Sequence, residues 1–218
     1  MLNSPDPKWL IFLERRLRWL GIPNLAIILI TFQAIGFFLV SVDPEWLSRL
    51  ALIPELALSG EYWRVITFLA LPISLHPVFV IFVLWFLYFI VNAIEGEWGD
   101  FKTTFYVLVS ILVTEVYSFA TGYPVTSVAA LESSLFLAAA ALFPDYEVRL
   151  FFAIPVKMKW LAWVTLGFLA LQFVQGDWAD RFFLLAIYSN YLVFFGPAHV
   201  ERFRAMRRRA RFRKQLNR

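Results

Sequence analysis

At 218 residues the chain has room for one or two domains, but 61% of it is hydrophobic and only 17% is charged, against roughly 45–50% apolar residues in soluble domains. With 19% aromatic residues, among them 24 Phe and 9 Trp, one water-soluble core could not hide this much apolar surface, so lipid is the expected solvent. The same composition excludes a disordered chain, and the lack of cysteine excludes a disulfide scaffold, a Cys-ligated metal and thiol chemistry.

Residues 1–22 interleave Trp9, Leu10, Phe12, Leu13, Leu17, Trp19 and Leu20 with Lys8, Glu14, Arg15, Arg16 and Arg18. This pattern predicts an interfacial amphipathic helix rather than a cleaved signal peptide, since no uninterrupted apolar stretch follows a short basic start. Asn24 to Val42 are 19 residues without a charge, about 28 Å as a helix against a hydrocarbon core of roughly 30 Å, and form a predicted first span. Asp43 to Thr67 scatters Pro44, Arg49, Pro54, Glu55, Glu61 and Arg64 among apolar residues and reads as a partly embedded loop.

Leu75 to Ile94 is the second predicted span, closed by a tight acidic turn from Glu95 to Asp100, and Phe101 to Gly122, carrying Glu115, is the third. Val125 to Pro144 is the fourth, with Glu132, Ser133 and Ser134 inside it. Asp145 to Lys159 is too charged and too broken by proline to cross, and is expected to dip into one interface. Trp160 to Gln175 and Phe182 to Phe195 supply the fifth and sixth spans.

The fold class expected is therefore an all-α membrane protein with six spans, an N-terminal amphipathic helix and a long, partly embedded first loop. It divides into residues 1–22, a membrane domain over 23–197 and a basic tail over 198–218. Six spans place both termini on one side. With that side cytoplasmic, the inner segments hold 17 Lys and Arg and the outer loops hold Arg49, Arg64 and Arg181, only 3, which is the positive-inside pattern. The last 18 residues carry nine of the twenty Lys and Arg. Arg207, Arg208, Arg209, Arg211, Arg213 and Lys214 are expected to meet anionic lipid headgroups rather than nucleic acid.

Three stretches resemble the rhomboid superfamily of intramembrane proteins. Gly60-Glu61-Tyr62-Trp63-Arg64-Val65-Ile66-Thr67 is similar to the Trp-Arg motif of the rhomboid first loop, and Glu95 to Gly99 to the turn that ends its second helix. Phe143-Pro144-Asp145-Tyr146-Glu147-Val148-Arg149, continuing into Phe151 to Lys157, looks like the connection between helices four and five. The resemblance covers about Asn24 to Pro197 and implies a six-helix rhomboid-like bundle. Rhomboid proteases place a Gly-x-Ser-Gly at the outer start of helix four and a His in helix six, with a His and an Asn four residues later in helix two. Counting back from Phe143-Pro144 sets the first of these on Ser127-Val128-Ala129-Ala130, so Ala129 stands at the nucleophile position. Asn190 stands at the base position, and His76 is followed four residues later by Val80.

A serine hydroxyl is a poor nucleophile until an adjacent base takes its proton, and neither Ala129 nor Asn190 can serve. A rebuilt dyad of Ser127 with His76 is the fallback. Glu115, Glu132, Ser133, Ser134 and Asn190 are expected to meet in the outer half of the bundle as a hydrogen-bond network or a polar cavity, because intramembrane ionisable groups usually face a partner or a cavity. Trp63 is expected to anchor the first loop at the interface, and Arg64 to pair within it. The two histidines, His76 and His199, lie near no carboxylate cluster at ligand spacing, so neither metal nor cofactor is expected.

The reading that results is a rhomboid-like pseudoprotease whose partners are the bilayer, anionic headgroups and transmembrane segments of client proteins. An active serine protease with a non-standard dyad, and a transporter or ion-conducting protein built on Glu115 and Glu132, are the alternatives. The location expected is integral and multi-pass, in the plasma membrane for a bacterial protein. Topology is testable in this Cys-free background. Gly176→Cys should react with an impermeant thiol reagent in intact cells and Arg218→Cys should stay protected; the reverse pattern would overturn the orientation.

Overall fold

The computed structural model describes residues 8–150 and 154–216. The fold is all-α apart from one short hairpin, in the order α1 (Lys8–Leu17), α2 (Leu25–Val42), α3 (Trp46–Leu50), α4 (Pro54–Leu58), α5 (Arg64–Thr67), α6 (Pro77–Thr121), α7 (Ala129–Leu142), β1 (Glu147–Leu150), β2 (Ile154–Lys157), α8 (Met158–Gln175) and α9 (Trp178–Leu216). Among the described residues two helices, α2 and α6, are long and apolar enough to cross a membrane, and α7 is apolar but shorter.

Residues 1–7 lie outside the described residues, and of the amphipathic helix expected over residues 1–22, Lys8–Leu17 form α1. Its Leu10 is buried, and its Trp9 ring meets Phe105 and, edge-on at 5.8 Å, Phe194. Helix α2 carries no charge on any face, as suits a helix surrounded by apolar material. It ends where Asp43 turns extended, ahead of Pro44. Helix α6 has Pro at its first position, where no N–H is needed. Its 45 residues are two limbs, broken at Gly99, whose φ of 77° and ψ of 169° suit only glycine. The limbs fold back on each other. Leu87 lies beside Leu135 while the Tyr106 hydroxyl reaches Ser134, whereas a straight helix would set residues 87 and 106 roughly 28 Å apart. The acidic turn expected over Glu95 to Asp100 is thus a break at one residue, with helix on both sides. Asn24 N–H donates to Glu95 at 2.7 Å and Ile22 N–H to Thr104 at 3.0 Å, tying the entry of α2 to the fold-back.

Helix α7 corrects the expected fourth span. It has 14 residues, about 21 Å, because Val125 is held in an extended bridge with Leu52 and cannot join the helix. It can be short because it is central: every side chain from Ser134 to Ala140 is buried, and Ala138, Ala139 and Ala140 let the neighbouring helices approach closely. The segment after it, expected to dip into one interface, contains a hairpin that the sequence reading did not foresee. Glu147 to Leu150 pairs antiparallel with Ile154 to Lys157; residues 151–153, part of that expectation, lie outside the described residues.

Helix α9 is also longer than the sixth span expected, continuing through Pro197 to Leu216. The backbone of the basic tail is helical as far as Leu216, and the side chains of Arg207, Arg208, Arg209, Arg211, Arg213 and Lys214 lie outside the described residues.

The first loop is ordered by Arg64, which is 4% exposed. Its guanidinium donates to Glu61 at 2.6 Å and to the carbonyls of Ser48 and Ala51 at 2.6 and 2.8 Å, tying the end of α3 and the residues ahead of α5 to one cation. Arg64 therefore pairs within the loop, and Trp63 beside it is exposed. The loop then packs on α2 where Gly36 meets Ala70: a Cβ on Gly36 would lie 1.6 Å from the Ala70 carbonyl oxygen. Gly36→Ala should therefore cost about 1–3 kcal/mol by forcing the loop off the helix. Gly96→Ala, with open space around it, is the control. Thermal unfolding in detergent checks this, and equal midpoints for the two variants would refute it.

Candidate functional site

The polar residues inside the bundle are divided among three contacts. In the first, the Asn190 amide of α9 donates to the Tyr106 carbonyl at 2.9 Å and to Ser110 Oγ at 2.7 Å, both on the second limb of α6. Tyr106 in turn places its hydroxyl 2.7 Å from Ser134 Oγ on α7. Asn190, Tyr106, Ser110 and Ser134 are all buried, so this chain of hydrogen bonds pins α9, α6 and α7 together away from solvent. In the second, Gln33 of α2 donates its amide to the Glu132 carboxyl of α7, with Leu29, Leu69, Leu87, Val128, Leu131 and Leu135 around the pair. In the third, Ser133 Oγ lies 2.5 Å from the Tyr188 hydroxyl of α9 and 2.7 Å from the Ala129 carbonyl.

This arrangement corrects the single network expected of Glu115, Glu132, Ser133, Ser134 and Asn190. Successive residues of α7 are turned about 100° apart, so Glu132, Ser133 and Ser134 face α2, the α9 side and α6 respectively. Glu115 joins none of the three contacts. It is half-buried on the second limb of α6 without a hydrogen bond among the described residues.

Beside the third contact a cleft of about 570 Å³ opens between the start of α7, the second half of α8 and the start of α9. Ala129, Ala130, Phe168, Leu169 and Phe183 give it apolar walls, and Ser127, Ser133, Gln172 and Gln175 add neutral polar groups. Its rim is braced where Tyr123 donates to Asp180 at 2.7 Å and Tyr117 to the Ala179 carbonyl at 2.7 Å. Burial, and then the Asp180 carboxylate it faces, raises the Tyr123 phenol above its ordinary range, so it remains a donor throughout the physiological range.

Ala129 lies on the cleft wall and Asn190 in the sealed pin below it. Ser127 Oγ accepts from the Ala129 N–H at 3.2 Å just ahead of α7, and His76 is exposed at the start of α6, where its backbone N–H donates to Ser74 at 3.2 Å. No hydrogen bond joins Ser127 to His76 among the described residues. Gln33, Tyr106, Ser110 and Tyr188 complete the polar contacts without having been singled out in the sequence. A lone amide in a span free of charge was the available signal for Gln33; tyrosines in so aromatic a chain gave none. The described residues contain no group of three or more His, Asp or Glu side chains able to hold a metal. Neither a family model, nor a curated protein, nor a solved structure matches the chain.

The Gln33–Glu132 pair makes a definite prediction. Glu132→Gln keeps a hydrogen-bonding partner for the buried Gln33 amide at nearly the same shape and should be nearly neutral. Glu132→Leu strands that amide and should cost about 1–3 kcal/mol. Unfolding midpoints in detergent decide it; a Leu variant as stable as the Gln variant would show that the pair contributes nothing.

Proposed function

We propose that this chain is a six-span, rhomboid-like membrane protein that binds transmembrane segments of client proteins and does not cleave them. In this reading the spans are α2, the two limbs of α6, α7, α8 and α9; both termini are cytoplasmic, and the basic tail meets anionic headgroups. The order of the Trp63-Arg64, Glu95-to-Gly99 and Phe143-to-Lys157 stretches supports the kinship, and the loop gathered on Arg64 supports a first loop held as one unit.

The observation that carries the non-proteolytic reading is the use made of Asn190. At the position inferred for the base stands an amide that spends its donors on the Tyr106 carbonyl and Ser110 Oγ, both within the helix core. An amide cannot take a proton from serine at neutral pH, and Ala129 offers no hydroxyl to activate. What remains is a cleft with apolar walls and neutral polar groups, suited to a segment that carries unsatisfied backbone groups and no charge.

Purified protein should show no labelling by serine-directed fluorophosphonates and should not cleave transmembrane substrates. Labelling that disappears in Ser127→Ala or His76→Ala would overturn the reading in favour of a protease. A photoreactive residue at Ser133 should crosslink to the transmembrane segments of co-purifying membrane proteins, and failure to capture any would remove client binding.

A further inference from the structure

The cleft between α7, α8 and α9 changes character along α8. From Gln175 to Thr165 it runs ten residues down that helix, about 15 Å, from two neutral amides at one end to Phe168 and Leu169 below them. Helix α8 leaves the space because it barely packs: Met158, at its far end, is its one buried residue, while Trp160, Trp163, Phe168, Leu171 and Val174 are exposed.

Charge narrows what can enter. Asp180 is the one charged side chain lining the cleft, and both its oxygens are engaged, one by the Tyr123 hydroxyl at 2.7 Å and the other by the Asp177 N–H at 3.2 Å. Arg181 turns away, donating to the carbonyls of Phe173 and Val174 at 2.8 and 3.1 Å and lying over the Phe173 and Trp178 rings. Among the described residues, therefore, the cleft presents no cation to a phosphate. Gln172 and Gln175 each offer a donor pair and an acceptor, the complement of a hydroxyl group. The volume falls in the range of small-ligand pockets, roughly 300–1,000 Å³.

We propose that the cleft binds a single-chain lipid with an uncharged, hydroxyl-bearing headgroup, its chain against Phe168, Leu169 and Leu184 and its headgroup on Gln172 and Gln175. The inference rests on the cleft being the binding site of the proposed function, and it makes the lipid a competitor that a client segment displaces.

The test uses the full chain in phosphatidylcholine nanodiscs, doped either with a monoacylglycerol carrying a diazirine in its chain or with a lysophosphatidate carrying the same chain. Crosslinks are mapped by peptide mass spectrometry. The monoacylglycerol should label Phe168, Leu169 and Leu184 at least fivefold more than the lysophosphatidate does. Ala130→Phe, which fills the cleft, should abolish that labelling. Gln172→Leu with Gln175→Leu, both at exposed positions, should erase the preference between the two lipids. Equal labelling by both lipids in the unmodified protein, or cleft labelling no stronger than that of exposed Ile35 and Phe38 on α2 and unchanged by Ala130→Phe, would overturn the proposal. Client crosslinks at Ser133 are scored separately. Their persistence without cleft labelling sinks the lipid alone, and cleft labelling without client crosslinks sinks client binding alone.

Discussion

A polar group placed inside an apolar bundle has to find its partner in the protein, and Asn190 shows how far that constraint reaches. Its amide nitrogen donates to the Tyr106 carbonyl and to Ser110 on one helix limb, while its Oδ1 is buried without a hydrogen bond among the described residues, and Tyr106 passes the contact to Ser134 on α7. Each of these bonds fixes a helix rotation as well as a distance. With α7 held by Ser134, Glu132 is turned toward Gln33 and Ser133 toward Tyr188. The three contacts therefore set one rotation of the central helix, and that rotation decides which of its residues line the cleft.

The rest of the molecule is arranged around α7. Its run of buried alanines brings the other helices close, and the fold-back at Gly99 lets a single long apolar element pack against it through both limbs. The aromatic cluster of Trp9, Trp98, Phe105, Phe194 and Phe195 closes the end of the bundle where α1 sits. At the other end the Arg64 loop locks onto α2 at Gly36, and Leu52 from that loop holds Val125 ahead of α7. Helix α8 stands apart from this tight core, and the cleft is the space it leaves.

The same division bears on chemistry. On the open side of α7 the Ser127 hydroxyl accepts from the Ala129 N–H, while the Asn190 amide nitrogen is engaged inside the bundle. The open side carries neutral amides, hydroxyls and apolar walls. Beside them stands Asp180, whose two oxygens already accept from Tyr123 and the Asp177 N–H.

Much of the architecture is local and was therefore legible in the residues. A run free of charge marked α2, long apolar runs on either side of the Glu95-to-Asp100 turn marked both limbs of α6, and the interleaved charges of residues 1–22 marked α1, because hydropathy and backbone preference act over a few residues at a time. The start of α7 was not legible, since Val125 leaves the helix only through a partner 73 residues away, Leu52. Nor was the hairpin over Glu147 to Lys157, whose strands exist only as a pair. Composition by itself determined that polar groups at Glu132, Ser133, Ser134 and Asn190 would have to be satisfied inside the bundle. Only the tertiary structure decided with whom, separating Glu132 from Glu115 and joining Asn190 to Tyr106, because a hydrogen bond between helices depends on their relative rotation, and that is set by the packing of all of them at once.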